Sequence, residues 1–426
     1  MNLTLYTLLL RLLLPLALVR LLWRSLRAPA YRRRVGERLA LEGSAPGPAD
    51  VWVHAVSVGE VQAAAPLIRY LLTRDPPQRV LVTTTTPTGA ARVGDLFGKS
   101  LTHRYTPFDL PGMLSRLLDR VRPRLILVME TEIWPNMLVQ ATRRGIPVVL
   151  ANARLSARSA RGYGHLQPLT RETLNRFEHI AAQWEADARR FRELGAAPGR
   201  VQVTGSIKFD QQLPASLQEQ AEVLRRDWGQ RPVWVAASTH EGEEEPVLAA
   251  HRQIRAQVPD ALLVLVPRHP ERFDRVAELV RRGGFTLVRR SAHMPCTEDT
   301  AVLLGDTMGE LPVFLAAANA AFIGGSLVNV GGHNPLEASA VGVPVVTGPQ
   351  VFNFAAMVDL LVSEDAAVIV PDARELGALV TRWLQDPTER TRIGENGRRV
   401  VGQNRGALGR LIALIEPRLE RADPTT

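Results

Sequence analysis

Two hydrophobic rhythms alternate along most of the chain. Short apolar runs read as buried strands: Val51–Val56, Val80–Thr84, Leu125–Met129, Pro147–Ala151, His179–Ala182 and Val201–Thr204. Between them lie stretches with a helical apolar period, such as Gln62–Leu72 and Pro111–Arg120. A polar helical segment, Gln211–Gln230, precedes a second series: Val233–Ala237, Leu262–Val266, Thr286–Val288, Val302–Leu304, Ala320–Ile323 and Pro344–Thr347. Strands alternating with helices predict parallel sheets covered on both faces, hence an α/β chain of two doubly wound, Rossmann-like domains. The series should meet near residues 207–220 and face a common cleft. The expected division is 1–30, a membrane-anchor helix; 31–210, an N-terminal domain; 211–405, a C-terminal domain; and 406–426, a final helix and tail.

The amino terminus breaks the alternation. Leu3 to Trp23 is dominated by leucine, interrupted by Arg11 and Pro15, and the segment carries and is followed by Arg20, Arg24, Arg27 and Arg32-Arg33-Arg34. A secretory signal carries its basic residues ahead of the apolar run, and Met1-Asn2 supplies none; Ala28-Pro29-Ala30 is only loosely like a cleavage site. The expectation is a membrane anchor whose arginines keep the rest of the chain cytoplasmic, with a buried apolar helix as the plain alternative. Arg11 near its middle costs roughly 2.5–3.5 kcal/mol on insertion scales, which leaves spanning and interfacial placements both open.

Composition narrows the partners. The 426 residues are 46% hydrophobic, ample for real cores, with a formal net charge of +9. Of 52 basic residues only Lys99 and Lys208 are lysine, which draws attention to both. Aromatics are few (5%) and not interleaved with basic runs, so nucleic acid is disfavoured, and anionic lipid or phosphorylated substrates suit the charge better. The single cysteine, Cys296, excludes an intrachain disulfide and a cysteine-built metal cluster.

The richest motif is Gly324-Gly325-Ser326-Leu327-Val328-Asn329-Val330-Gly331-Gly332-His333-Asn334-Pro335-Leu336-Glu337-Ala338, between a strand and a helix. Its glycines permit close backbone approach, and amides at the next helix start favour an anion. Asn334 can cap that helix, Pro335 suits its first turn, and Glu337 can accept hydrogen bonds from a ribose diol; a nucleotide-sugar site is expected. Neither half carries a G-x-G-x-x-G turn after its first strand, which argues against a dehydrogenase.

The halves open alike, with Ser57-Val58-Gly59-Glu60 after one strand and Ser238-Thr239-His240-Glu241 after another. Glu60 reads equally as the back-bonding member of a capping box and as a general base kept ionised by the helix dipole. Glu130 and Glu132 sit just past a buried strand and before Pro135, where alternation lets both point one way. Lys208, at the expected hinge, offers a point charge for a carboxylate or phosphate, or is a surface lysine. Arg268 is placed to meet a phosphate, and His269 to do likewise or to cap. In Gly305-Asp306-Thr307-Met308-Gly309-Glu310-Leu311 the glycines can admit a base or ribose; no His/carboxylate cluster there has metal-ligand spacing.

Taken in order, Ser57–Glu60, Glu130-Thr131-Glu132-Ile133-Trp134-Pro135-Asn136, Lys208-Phe209-Asp210, Pro267-Arg268-His269-Pro270-Glu271-Arg272-Phe273, Gly305–Leu311 and Gly332–Glu337 closely resemble the 3-deoxy-D-manno-octulosonic acid (Kdo) transferases of Gram-negative bacteria. The resemblance covers nearly the whole chain and includes Gly36-Glu37-Arg38-Leu39. It implies a GT-B glycosyltransferase that moves Kdo from CMP-Kdo to a lipid A precursor, on the cytoplasmic side of the inner membrane, with no metal or other cofactor. It further implies Glu60 as base, Glu130 and Lys208 as transition-state aids, and Arg268, His269, Met308, Gly309, Glu310, Asn334, Pro335, Leu336 and Glu337 as the CMP-binding set. Where the family usually has Asn before Lys-Phe-Asp, this chain has Ser206.

Overall fold

The computed structural model describes residues 2–41, 47–210 and 213–420. The chain divides into two compact units, Met1–Gln211 with Arg405–Thr426, and Gln212–Asn404. Each contains a seven-stranded, wholly parallel sheet.

In the first unit the strands are β1 Val51–His54, β2 Val80–Thr84, β3 Thr102–Tyr105, β4 Leu125–Met129, β5 Val148–Ala153, β6 His179–Ala182 and β7 Val201–Val203. Their order across the sheet is β3-β2-β1-β4-β5-β6-β7. β1, β2 and β4 are buried throughout, as continuous apolar runs in a two-faced parallel sheet must be. One core lies on each face. Trp52, Leu114, Phe177 and Phe191 anchor one; Val53, Leu67 and Ile68 anchor the other, together with Leu411 and Ile415 from the C-terminal helix Ala407–Leu419. That helix therefore completes the first unit's core rather than standing apart. Asp210 ties its start by accepting from the Gly406 and Leu408 amides, both at 2.5 Å.

The second unit contains β8 Val233–Thr239, β9 Leu262–Pro267, β10 Leu287–Arg289, β11 Val302–Leu304, β12 Ala320–Ile323, β13 Val345–Thr347 and β14 Ala367–Ile369, ordered β10-β11-β9-β8-β12-β13-β14. In each sheet the order reverses beside the first strand, between β1 and β4 and between β8 and β12. Turns leaving those neighbouring strands diverge, and the crevice between them is where open parallel sheets bind ligands. At β8/β12 the backbones come very close: a Cβ on Gly324 would lie 2.7 Å from the Ser238 carbonyl oxygen and 2.9 Å from Thr239 Cα. No residue but glycine fits there.

The apolar amino terminus forms one helix, Leu3–Arg27, begun by Asn2, whose side chain accepts from the Leu5 amide. Its 25 residues extend about 37 Å, enough to cross a bilayer. One face lies against the first unit: Tyr6 donates to Asp109 at 2.8 Å, and Thr7 donates to Asn136 at 3.0 Å. The opposite face exposes Leu5, Leu8, Leu12, Leu16, Val19 and Trp23. Asp109 also accepts from the Asn136 and Met137 amides, which begin the helix Pro135–Thr142. Burial pushes the Asp109 carboxyl up to about 6, opposed by those three donors.

Asp109→Ala would strand several buried donors at once and should destabilise the protein by about 2–4 kcal/mol. It should also release the N-terminal helix to limited proteolysis; a wild-type digestion pattern would show that the helix is held by apolar contact alone.

Candidate functional site

In the first unit the polar residues gather at the β1/β4 crevice. Ser57 caps the helix Val58–Thr73, and Glu60 folds back over its first turn. The Glu60 carboxylate accepts from the Val56 amide at 2.6 Å and from the Ser57 hydroxyl at 3.3 Å. The back-bond thus lands one residue earlier than a capping box requires, on the turn just past β1. Glu60 is 9% exposed. Burial, then the charges of Glu132 and Glu130, push its carboxyl up to about 8, against the opposing bonds from Val56 and Ser57. The expectation that the helix dipole keeps it ionised is therefore reversed. The dipole contributes about 0.3–1 kcal/mol at exposed positions, too little against desolvation and two like charges.

Glu130 follows β4 directly and adopts the left-handed region (φ 56°), a conformation that costs a non-glycine residue about 1 kcal/mol. Glu130 and Glu132 act on Glu60 together because the chain turns sharply here, not because it is extended. Glu130 pairs with Lys208 at 3.0 Å, both side chains being mostly buried. Glu132 accepts from Trp134 Nε1 at 2.7 Å, and burial followed by the Glu130 charge raises its pKa. The Trp134 ring packs edge-on to His54, 4.8 Å between centroids. Burial drives His54 down to about 3, so it is a neutral core group. Near Lys208, the Ser206 hydroxyl and Asn152 Nδ2 are buried without hydrogen-bond partners.

The second unit assembles a different group at the β8/β12 crevice. The Gly325, Ser326 and Leu327 amides are occupied by the buried carboxylate of Glu243, at 2.6, 2.9 and 2.9 Å. Glu243 also accepts from the His240 amide at 2.9 Å. A carboxylate from the chain itself thus fills the cradle and ties the β8 turn to the β12 turn. Glu241, the sequence counterpart of Glu60, lies instead on the surface beside Arg275.

Beside this clamp His240 and His333 stack, with centroids 5.0 Å apart and Nε2 atoms at 2.7 Å. His269 meets His240 edge-on at 5.2 Å. Burial, then the neighbouring histidines and Arg268, lower His333 to about 3; burial, then His269, Arg272 and Arg268, also lower His240. Glu337 is raised by burial, opposed by Asn334 and Arg268. Asn334 accepts from the Leu336 amide at 3.2 Å and donates to Glu337 at 3.3 Å, so it precedes a short helix, Leu336–Ala340, with Pro335 at its cap.

Arg268, His269, Asn334 and Glu337 therefore share one electrostatic neighbourhood with His240 and His333. Leu336 is only 2% exposed and serves packing. Met308 is exposed and Gly309 adopts φ 85° in open space. Glu310 is held by Arg290 at 2.7 Å and by Thr307, and bonds to none of the histidines among the described residues. Gly305 is crowded by Val266 and Phe314, so its small size serves the core rather than a base or ribose. His240, His333 and Glu243 were not singled out from sequence as site residues; the two histidines lie inside the flagged motifs, whereas nothing in local spacing marks Glu243.

Glu243→Ala should leave four amides without acceptors and cost about 3 kcal/mol or more in chemical denaturation, with nucleotide affinity falling alongside. A normal denaturation midpoint would refute the clamp. Glu60→Gln tests the raised carboxyl. The folded state binds the extra proton between the ordinary value near 4.5 and about 8, so the wild type loses stability as pH rises through that window. The variant should match wild type at pH 4 and melt higher at pH 8; equal melting at both would show that Glu60 is not strained by burial.

Residues 33–211 match the family model described as 3-Deoxy-D-manno-octulosonic-acid transferase (kdotransferase), and residues 234–400 match Glycosyl transferases group 1. A 3-deoxy-D-manno-octulosonic acid transferase of Haemophilus influenzae is 44% identical over 98% of both chains. One from Bordetella pertussis is 40% identical over 96% of this chain and 98% of its own. In fold alone, a UDP-bound MnaA of S. aureus aligns with TM-score 0.56 at 13% identity, covering 87% of this chain and 96% of its own. The chain belongs to the 3-deoxy-D-manno-octulosonic acid (Kdo) transferase family, glycosyltransferases of GT-B architecture.

Proposed function

We propose that the chain transfers Kdo from CMP-Kdo, with inversion, to a hydroxyl of a lipid A precursor such as lipid IVA, in lipopolysaccharide synthesis at the cytoplasmic side of the inner membrane. The observation that carries the reading is Glu60, buried at the β1/β4 crevice with its carboxyl raised to about 8. A carboxylate of that basicity matches a general base at near-neutral pH, where proton transfer is both available and driven. Ionised Glu60 takes the proton of the acceptor hydroxyl as its oxygen attacks the anomeric carbon. The C–O bond to phosphate breaks on the opposite face, and CMP departs as a phosphate monoester. The Lys208–Glu130 pair would hold charge beside the reacting sugar.

The second unit would hold CMP. Arg268, with the His240–His269–His333 group, supplies cationic and hydrogen-bonding contacts for a phosphate, and Asn334–Glu337 offers acceptors to a ribose. Met308, Gly309 and Glu310, which leave β11 beside β9, would border the nucleotide. These side chains can stabilise the departing phosphate by preorganised charge, so the mechanism calls for no metal. The N-terminal helix, exposed and apolar along one face, would keep the first unit at the bilayer where its acceptor resides.

Glu60→Gln should reduce transfer from CMP-Kdo by at least about 100-fold while CMP binding persists, as removal of a general base requires. In the wild type, transfer at subsaturating acceptor should rise about tenfold per pH unit below pH 8 and level off above it, as Glu60 deprotonates. Unchanged transfer by the variant, measured by mass spectrometry of the product, would remove Glu60 from the mechanism.

A further inference from the structure

The strands of the first unit also begin at a polar feature. Across the neighbours β4, β5, β6 and β7, the residue just ahead of each strand lines one cavity: Arg124, Pro147, Glu178 and Arg200. Its volume is about 1000 Å³. Arg144 and Arg176 enter it from just past the helices Pro135–Thr142 and Gln167–Leu174, and Arg418 from the C-terminal helix Ala407–Leu419. Five guanidiniums therefore line the cavity against one carboxylate, that of Glu178. All five arginines are half-buried rather than free on the surface.

The bonds these arginines make leave part of the array unspent. Arg144 is fully engaged: all three of its side-chain nitrogens donate, to Asp119, Ser115 and Gln140, so it braces the wall. Arg176 donates to Glu172 through Nη2 alone, at 2.7 Å. Arg418 meets Glu178 through Nε and Nη2, which leaves its Nη1 without a partner among the described residues. Arg200 donates once, to the Phe177 carbonyl at 2.6 Å, and pairs with no carboxylate among the described residues. A guanidinium carries five N–H donors, so these last three keep donors for a further acceptor. Helix C-termini fall at this end of a parallel sheet and favour cations, which accounts for Arg144 on the Gln140 carbonyl. It does not account for Arg176 and Arg418, whose side chains bond to no main-chain carbonyl among the described residues.

The cavity stands apart from the chemistry. Arg124 and Glu130 flank β4 at opposite ends, about 20 Å apart along an extended strand. The N-terminal helix is fastened at Asp109 and Asn136, by the start of the helix Pro135–Thr142, and Arg144 lies just past that helix's other end. With the N-terminal helix at a bilayer, the cavity faces solution.

We infer that this cavity binds a soluble, linear polyphosphate anion, either inorganic or carried by a nucleoside. Arginine forks match phosphate oxygens, and charge-assisted bonds of this kind are the strong ones. The volume lies at the upper end of small-ligand sites, about 300–1,000 Å³, which suits a chain of linked phosphates better than one. No aromatic side chain lines the cavity among the described residues, so the phosphates rather than a base carry the recognition. The bound chain spans Arg176 and Arg200 on the sheet edge and Arg418 on the C-terminal helix, and competes with Glu178 for the last. The inference does not depend on the transferase reading.

The experiment is isothermal titration of the purified full chain in neutral detergent, with inorganic tripolyphosphate as the probe and saturating CMP added to fill the proposed nucleotide site. Tripolyphosphate should bind, and orthophosphate at least about tenfold more weakly, because a single phosphate engages fewer guanidiniums. Arg176→Ala/Arg200→Ala should weaken tripolyphosphate at least about tenfold, while Arg268→Ala leaves it unchanged. Glu178→Gln removes the competing charge and should tighten binding about threefold, the size of one part-exposed charge pair, a result that a misfolded variant cannot give. ATP as a second probe identifies the source: binding at least as tight as tripolyphosphate assigns a nucleoside polyphosphate, and weaker binding assigns the inorganic chain. Absence of binding by the wild type, equal affinity for orthophosphate, or a double variant that binds like wild type would overturn the site. So would loss of binding in Arg268→Ala, which would place the anion in the second unit.

Discussion

A wholly parallel sheet whose strand order reverses leaves a gap at the reversal, and the groups that occupy that gap organise everything else in this chain. Both gaps receive a buried carboxylate, with opposite results. Glu243 is met by four amides, so its charge is satisfied and it fastens two turns together. Glu60 has one amide and one hydroxyl, and two further carboxylates bear on it. The same functional group at the two crevices is a rivet in one unit and the proposed base in the other; the number of donors pointed at it makes the difference.

Much of this was legible in the residues. β1, β2, β4, β8, β9 and β12 are buried on both faces, so their apolar runs stand out without ambiguity. β3 escaped notice because Thr102-His103-Arg104-Tyr105 is an edge strand with an exposed start, held by Glu37 accepting the Tyr105 amide rather than by its own hydrophobicity. β14 went unmarked as well: it is a three-residue edge strand whose last residue, Ile369, is exposed. The repeat of Ala407, Leu411 and Ile415 reveals a helix, but not that the core it completes belongs to the first unit.

The site was half legible for a similar reason. Glu60, Glu130 and Lys208 lie where strand ends and composition pointed, and the structure brings Glu130 and Lys208 into contact. Electrostatics ran against expectation, since spacing reveals a helix start but not the burial or the like charges that outweigh its dipole. The glycine-rich turn was recognisable as a place of close approach, and its positive φ at Gly325, Gly331 and Gly332 explains those residues. Its amides, however, are filled by a side chain from a separate turn. Spacing drew attention to Glu241, because the helix that follows begins only at Glu244. Long-range occupancy of this kind leaves no trace in local sequence.

The pairing of Glu130 with Lys208 has a chemical corollary. In a chain that uses arginine almost everywhere, primary amines occur on only two side chains, and Lys99 is exposed while Lys208 is largely enclosed beside a carboxylate. Acylating or aldehyde reagents, which spare guanidinium groups, thus encounter one open target and one guarded one. The ratio of their labelling is a built-in gauge of solvent access at Lys208, obtainable without introducing any foreign residue.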